Sequence, residues 1–538
     1  MRNILLVILL SCCATSVFCE GYMFRIELKD KGNPSCTIEN LPAYLSEKSI
    51  ERRLRQGIAI DSTDLPIDPV YLEKINLTGA SIKATSKWVK TVTVYLPDSL
   101  AITALKNLNF VDTLYCVWKG DLPQSDLLKS GQDKYVKSES YNYSPYRDMN
   151  MYGDGYEQIS MLNGNLLHDA GFKGKGMSIA VLDVGFQNSN QVLALNFDQV
   201  KEVKNFTHQL GDPLKSTAVH GTQVLSCMLA NQPGIMVGTA PEADYYLFKT
   251  EVDGEEFPVE EDYWVTAMEY ADSIGVDVIN TSLGYSTFDD SSMNHTYEQL
   301  DGHTILASRA ASMAGNKGML IFVAAGNEGN SSWGKITVPS DADNIITVGA
   351  VNDESVIAGF SSRGPSADGR VKPDLCAMGE SAATIKADGI VYFNSGTSFA
   401  SPILAGTGAC LWQALPQKTN KEIMALMKSS GDRYAAPDFI YGYGIPDAGK
   451  IYTDNNTDIA KVSKDDALLF FDTTTNCLYL KNTDYTRIDL KVFNSQGQLI
   501  IQSKNAIMPF DLNRLNQGVY IVHIGQGEKQ ATQKFIKW

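Results

Sequence analysis

The sequence predicts an α/β protein built on a doubly wound, mostly parallel sheet, preceded by a smaller α+β unit and followed by a small β-sandwich. Three observations carry that prediction. Over 157–452, near-continuous apolar strands alternate with helices, the pattern of a parallel sheet covered on both faces. Over 21–120, short half-buried strands and charged helices alternate instead. Over 460–538, short strands follow one another across turn signals such as Asn494-Ser495-Gln496-Gly497. A chain of 538 residues also exceeds what one hydrophobic core organises.

In the first unit, residues 22–28 alternate apolar and polar side chains, as a half-buried strand does. Helices are expected over 45–55, from Asp68-Pro69 through 75, and over 100–108. Strands are expected at 80–84, 88–96 and 111–118. In the central unit, the apolar runs 177–182, 244–248, 276–280, 319–324 and 345–350 read as buried strands. Helices are expected at 220–230, 260–274 and 309–318. In the tail, strands are expected at 468–472, 477–480, 488–493, 498–502, 518–524 and 532–536. Residues 121–156 are polar and Tyr-rich with no apolar periodicity, which predicts an exposed linker open to proteolysis.

The first 20 residues have the form of a secretory signal: Met1-Arg2-Asn3, an apolar run over 4–10, then small residues. That run falls short of the ~20 apolar residues that span a bilayer. No later run reaches that length, so no transmembrane segment is expected. The formal net charge is −16, which argues against nucleic-acid binding, because neutralising phosphates needs clustered Lys and Arg. Beyond the signal, Cys36, Cys116, Cys227, Cys376, Cys410 and Cys477 are scattered with no C-x-x-C pair, which argues against zinc. Cys36 and Cys116 could pair; buried free thiols are expected for most of the others.

Three islands carry chemistry. The first, Ile179-Ala180-Val181-Leu182-Asp183-Val184-Gly185, puts an acid at the carboxyl end of a buried strand. The second, Val219-His220-Gly221-Thr222-Gln223-Val224, opens a helix with a histidine. The third, Asn394-Ser395-Gly396-Thr397-Ser398-Phe399-Ala400-Ser401-Pro402, carries a serine into a helix. Serine is a weak nucleophile at neutral pH; it needs a base, and the base needs an orienting acid. Taken singly, each island is an ordinary turn former, structural histidine or helix cap. Together, and at the carboxyl ends of parallel strands, they are the parts of one site.

With these residues in this order, the sequence resembles the subtilisin-like serine peptidases, the subtilases, over roughly 157–452. The family signatures Asp-x-Gly, His-Gly-Thr and Gly-Thr-Ser-x-Ala-x-Pro all match, as does Phe322-Val323-Ala324-Ala325-Gly326-Asn327-Glu328-Gly329. The resemblance implies a secreted endopeptidase acting through an acyl-enzyme. Asp183, His220 and Ser398 would form the triad, and Asn327 would donate to the oxyanion. It implies that Ser282, Leu283 and Gly284 pair with an extended protein or peptide substrate. Ala324, Ala325 and Gly326 would line the primary specificity pocket. No cofactor is implied for the chemistry. Residues 21–120 resemble the family's inhibitory pro-domain, with maturation expected in 121–156, and residues 460–538 are similar to type IX secretion sorting domains of Bacteroidetes.

Some positions depart from the pattern. Val184 stands where a Ser or Thr hydroxyl usually helps fix the acid, and Phe399 replaces the common Met. Structural calcium could sit on Asp289, Asp290 and Asp301, hard oxygen ligands in a loop. The acidic stretch 251–262 could border the cleft and favour basic residues upstream of the cut. The alternative from another class is a catalytically inert protein on the same fold, exported as a peptide-binding or adhesive module.

Overall fold

The computed structural model describes residues 21–97, 101–122 and 151–455. In the C-terminal region it describes 469–472, 475–480, 488–494, 497–507, 509–526 and 529–537. The expected signal at 1–20 and most of the expected linker lie outside the described residues.

Among the described residues, the N-terminal region is a four-stranded antiparallel sheet with three α-helices. Its strands are β1 (Gly21–Leu28), β2 (Ser81–Ser86), β3 (Thr91–Leu96) and β4 (Val111–Gly120), in the order β2-β3-β1-β4. The helices are α1 (Glu47–Arg55), α2 (Pro69–Asn76) and α3 (Ala101–Lys106). Ser46 caps α1 by accepting from Ser49 N–H, and Asp68 caps α2 ahead of Pro69, whose missing N–H is no loss in a first turn. Ile26, Leu28, Val92, Val94 and Leu96 pack with Ile67, Ile75, Leu105 and Phe110 as one core.

The central sheet has seven strands, all paired in parallel. They are β5 (Ser178–Asp183), β6 (Val200–Asn205), β7 (Asp244–Lys249), β8 (Val278–Thr281), β9 (Leu320–Ala324), β10 (Ile346–Val351) and β11 (Leu375–Met378). Their order is β11-β10-β9-β8-β5-β7-β6. From β5 the chain runs to the far edge at β6, returns inward to β7 beside β5, then crosses over and builds the other side outward from β8. The winding therefore reverses between β5 and β8, and a crevice at such a reversal is where open α/β sheets bind ligands. On one face α4 (His220–Leu229), α7 (Thr397–Ala414) and α8 (Asn420–Ser430) pack with Val181, Phe322 and Val348. On the other α5 (Val259–Ile274) and α6 (Leu306–Asn316) pack with Leu182, Ile279 and Val323. A short antiparallel pair, β12 (Ala382–Ile385) and β13 (Val391–Asn394), leads into α7.

The C-terminal region is a separate compact unit of two small antiparallel sheets. One contains β14 (Leu469–Asp472), β15 (Cys477–Leu480) and β18 (Phe510–Asp511). The other contains β16 (Ile488–Asn494), β17 (Leu499–Ala506), β19 (Gly518–Gln526) and β20 (Lys529–Lys537). Leu478 of the first sheet packs with Leu490, Val492, Val522 and Phe535 of the second, so the expected sandwich forms.

Two expectations change. Cys36 and Cys116 form no disulfide: Cys116 Sγ lies 3.6 Å from the Trp118 carbonyl, and Cys36 sits beside Ser35. Strands β6 and β11 escaped the reading because one is half-buried and charged and the other is only four residues long. The buried thiols of Cys227, Cys376 and Cys410 are as expected.

The N-terminal sheet and the central unit belong to one compact unit, joined across α5. Arg25 grips Asp262 through Nε (2.9 Å) and Nη2 (2.6 Å). Glu269 accepts from Ser86 Oγ (2.5 Å) and from the Lys87 and Trp88 N–H groups (3.0 and 2.9 Å). Asp272 is shared by Arg52 and by Arg53 (2.5 Å), and Arg53 also holds Asp64 at 2.9 Å. These last groups are almost completely buried. Removing one partner from such a network strands the others' charge, at a cost of about 3–5 kcal/mol. Asp272→Ala, introduced into an uncleaved Ser398→Ala chain, should therefore loosen the N-terminal sheet. Amide exchange across Gly21–Leu28 should accelerate strongly relative to the parent; equal rates would show that this network does not hold the sheet.

Candidate active site

The reversal of the winding is where the predicted residues meet. Asp183 ends β5, Ser282 follows β8, and Ala324 ends β9 with Gly326 and Asn327 just beyond. His220 is the first residue of α4 and Ser398 the second of α7. Helix α4 can start this close to the end of β5 only because residue 221 is glycine. A Cβ there would meet the Phe186 ring at 2.9 Å and collide with the Gly185 carbonyl.

His220 Nδ1 lies 2.9 Å from Asp183 Oδ1 and 3.1 Å from Oδ2, and both side chains are buried. A carboxylate only accepts, so Nδ1 carries the proton and Nε2 is the basic nitrogen. Asp183 Oδ1 also accepts from the Val184 N–H at 2.9 Å. The main chain thus supplies a donor at the position where the side-chain hydroxyl is lacking. The Phe399 ring lies 5.8 Å from the His220 ring, centroid to centroid, which sets the first turn of α7 against the imidazole.

Ser398 is tied to β8's exit by two bonds. Its Oγ donates to the Ser282 carbonyl (3.2 Å), and its own carbonyl accepts from Ser282 Oγ (2.8 Å). Behind this pair, Ser401 Oγ donates to Asn280 Oδ1 (2.8 Å) and Asn280 Nδ2 donates to Ser282 Oγ (3.0 Å). A chain of buried donors and acceptors therefore fixes where the nucleophile's backbone sits.

Asn327 is oriented by the residue before the serine. Its Oδ1 accepts from Thr397 N–H (2.9 Å) and Thr397 Oγ1 (3.0 Å). With two donors on its oxygen, the amide can turn only its NH2 to the other side, where Nδ2 lies 3.7 Å from the Cβ position of Gly396. Thr397 Oγ1 in turn accepts from the Gly326 N–H at 3.2 Å. Gly326 has φ +102°, a left-handed conformation that glycine adopts without steric cost. The first-turn N–H groups of a helix have no partner within the helix, so α7 presents donors and the positive end of its dipole beside that amide.

The sequence singled out Asp183, His220, Ser398, Asn327, Ser282–Gly284 and Ala324–Gly326, and the fold brings all of them to this one edge. Thr397, Asn280 and Ser401 were passed over although they stand inside the quoted motifs. Their signal was there: hydroxyl and amide groups one to three residues from reacting groups, in runs buried on every side.

The surrounding charges are mostly committed elsewhere. Lys249, facing Asp183 across the β5–β7 ladder, donates to the Val184 carbonyl (2.8 Å); burial pulls its pKa down to about 8 despite nearby carboxylates. Much of the acidic stretch is paired in this structure, partly by residues of the N-terminal region, while Asp253, Glu255 and Glu256 stay half-buried. Glu260 accepts from the Val252 and Phe257 N–H groups, Glu261 from His295, Asp262 from Arg25 and Glu255 from Trp118. Asp289, Asp290 and Asp301 do not converge. Asp289 accepts from Glu256 N–H, Asp290 pairs with Lys119 at 2.8 Å, and Asp301 caps His303 and Thr304. Among the described residues, the carboxylates that do converge are Glu251, Glu256 and Glu260, with oxygens within 4.8 Å of one another.

A buried acid–imidazole pair beside a helix-borne serine, at the carboxyl edge of a parallel sheet, defines a class: serine hydrolases of α/β architecture. The chain belongs to the subtilase family, whose model matches residues 174–444. Residues 23–131 match the peptidase S8 propeptide domain of Bacteroidota, and residues 474–538 match a secretion system C-terminal sorting domain. Subtilisin E of Bacillus subtilis (strain 168) is 30% identical over 290 residues, covering 53% of this chain and 68% of that protein. Subtilisin of Bacillus pumilus is 30% identical over 290 residues, covering 53% and 94%. In fold, the chain is similar to the epidermin leader peptide processing serine protease of Staphylococcus aureus. That likeness has a TM-score of 0.55 at 16% identity and covers 81% of this chain and 99% of that one.

Two measurements test the geometry. Thr397→Val keeps the main-chain donor to Asn327 but removes the hydroxyl, worth about 1 kcal/mol for one hydrogen bond. It should lower kcat roughly fivefold with little change in KM, and Thr397→Ser should restore kcat; an equal loss in both variants would refute the orienting role. Burial raises the Glu251 carboxyl above its usual range, with Glu256 adding repulsion. The folded chain then holds a proton that the unfolded chain releases, so stability falls as pH climbs past the ordinary carboxylate value. In a Ser398→Ala background, Glu251→Gln should flatten the loss of thermal midpoint between pH 6 and pH 9.

Proposed function

We propose that this chain is an exported endopeptidase made as an inactive precursor, with Ser398 as nucleophile, His220 as general base and Asp183 as the acid that orients it. His220 Nε2 takes the Ser398 proton as Oγ attacks the substrate carbonyl, then returns it to the leaving amine. The Asn327 amide and the Ser398 N–H meet the negative charge on the tetrahedral intermediate. One such donor is commonly worth about 3–4 kcal/mol in the transition state. Ser282–Gly284 pair with the extended substrate, and Ala324–Gly326 line the pocket for the side chain before the cut. Water then hydrolyses the acyl-enzyme by the same base. None of these steps calls on a cofactor.

The single observation that carries this reading is the grip of Asp183 on His220 Nδ1 beside the Ser398 turn. The propeptide match and the contacts of the N-terminal sheet on α5 support residues 21–120 as an intramolecular inhibitor, cut away within 121–156. The catalytic domain then spans 157–452. The C-terminal match supports 460–538 as the export domain, and the N-terminal 20 residues as a signal removed on the way.

A fluorophosphonate probe is expected to label the matured chain, and Ser398→Ala is expected to abolish both labelling and maturation. N-terminal sequencing of the matured protein should place the new terminus within 121–156. An active chain still beginning near residue 20 would overturn the inhibitor reading, and an unlabelled mature chain would overturn the triad.

A further inference from the structure

We propose that Thr384 is a positioning residue for the reaction: its hydroxyl ties the helix that carries His220 to the strand that delivers Ser398, and so aligns the base with the nucleophile. This rests on the reading above, in which those two residues exchange a proton. Thr384 lies on β12 and is completely buried. A hydroxyl has one proton to donate and two lone pairs that accept. All three are used here. Thr384 Oγ1 donates to the Tyr392 carbonyl (3.3 Å) and accepts from Gln223 Nε2 (3.3 Å) and Asn394 Nδ2 (2.7 Å).

The two amides lead to the two reacting groups. Gln223 follows His220 by one turn of α4, on a neighbouring position of the same helix face. Asn394 ends β13, with only Ser395-Gly396-Thr397 between it and Ser398. Both amide side chains are buried, so losing the hydroxyl would leave their N–H groups short of a partner. The hairpin that carries Thr384 is itself pinned on two sides. Ile385 N–H donates to Ser226 Oγ (2.8 Å), a further turn along α4. On the edge of β12 that β13 leaves open, the buried Gln158 amide pairs with Ala383 as a third strand would. Its Oε1 accepts from the Ala383 N–H (2.9 Å) and its Nε2 donates to the Ala383 carbonyl (3.3 Å). Helices α4 and α7 also share one apolar core, through Val224, Leu225, Phe399 and Ile403. Apolar packing is non-directional and lets helices slide, whereas hydrogen bonds converging on one hydroxyl fix direction as well as distance. Thr384 is therefore the point at which the base's helix and the nucleophile's strand are brought into register.

The test uses the full chain after its own maturation, with active enzyme counted by titration with a fluorophosphonate probe and turnover read on one peptide substrate. Thr384→Val keeps the shape and removes the hydroxyl. It is expected to lower kcat about 10-fold with KM within ~2-fold of wild type, because alignment is lost and binding is not. Thr384→Ser should restore kcat. Gln223→Met and Asn394→Leu each cut one arm. Both arms end on the same hydroxyl, so the double variant should lose less kcat than the product of the two single losses. These arm variants decide the matter if Thr384→Val does not fold. A Thr384→Val enzyme with wild-type kcat, whatever its KM, would overturn the proposal. So would a Thr384→Ser enzyme as slow as the valine variant, or single losses that multiply in the double variant. Failure of the wild type to label would instead strike the protease reading beneath.

Discussion

The structure turns on one shared proton. His220 Nδ1 sits between both oxygens of Asp183, and this fixes which ring nitrogen is basic and which way the ring faces. The arrangement demands that an acid and a histidine 37 residues apart in the chain be buried together. Burial without the hydrogen bonds would be costly for either group. The parallel sheet meets the demand at its reversal. Strand β5 delivers Asp183 to the edge, the Val184 main chain helps hold the carboxylate, and Gly221 lets α4 begin almost in contact with the turn after β5.

The nucleophile's side of the site is fixed by the same means. Ser398 is exchanged between two bonds with Ser282, and Ser282 is in turn backed by Asn280 and Ser401. Thr397 turns the Asn327 amide and holds the Gly326 N–H. Preorganised dipoles stabilise developing charge because they need not reorient when it appears. In a buried network each member is satisfied only if its neighbours are, so positions are set collectively. Orientation here is a property of the whole row of residues.

The N-terminal sheet answers a different constraint. Helix α5 presents Asp262, Glu269 and Asp272 along one side, and each is met by Arg25, by Ser86 with two main-chain donors, or by Arg52 and Arg53. A carboxylate paired this way is well satisfied while docked and can be solvated once the partner leaves. Apolar contact alone would leave a sticky face after release. Charged groups let the surface be covered tightly and yet remain soluble when uncovered. That fits a region matched by a propeptide model better than it fits a permanent core element.

How much of this was legible follows from what each signal depends on. Strands such as β5 and β9 were readable because burial on both faces forces continuous apolar runs. The half-buried, charged β6 was not, since an edge strand shows no such run. Asp183, His220, Ser398 and Asn327 were readable from the company they keep in short motifs. The partners of the acidic stretch were not readable because composition records charge but not what meets it; Arg25 lies 237 residues from Asp262. The place of Thr337 was silent for a further reason: Gly284 and Gly326 lack side chains and face the same Thr337 hydroxyl, and no local pattern encodes where three separated segments are hydrogen-bonded side by side.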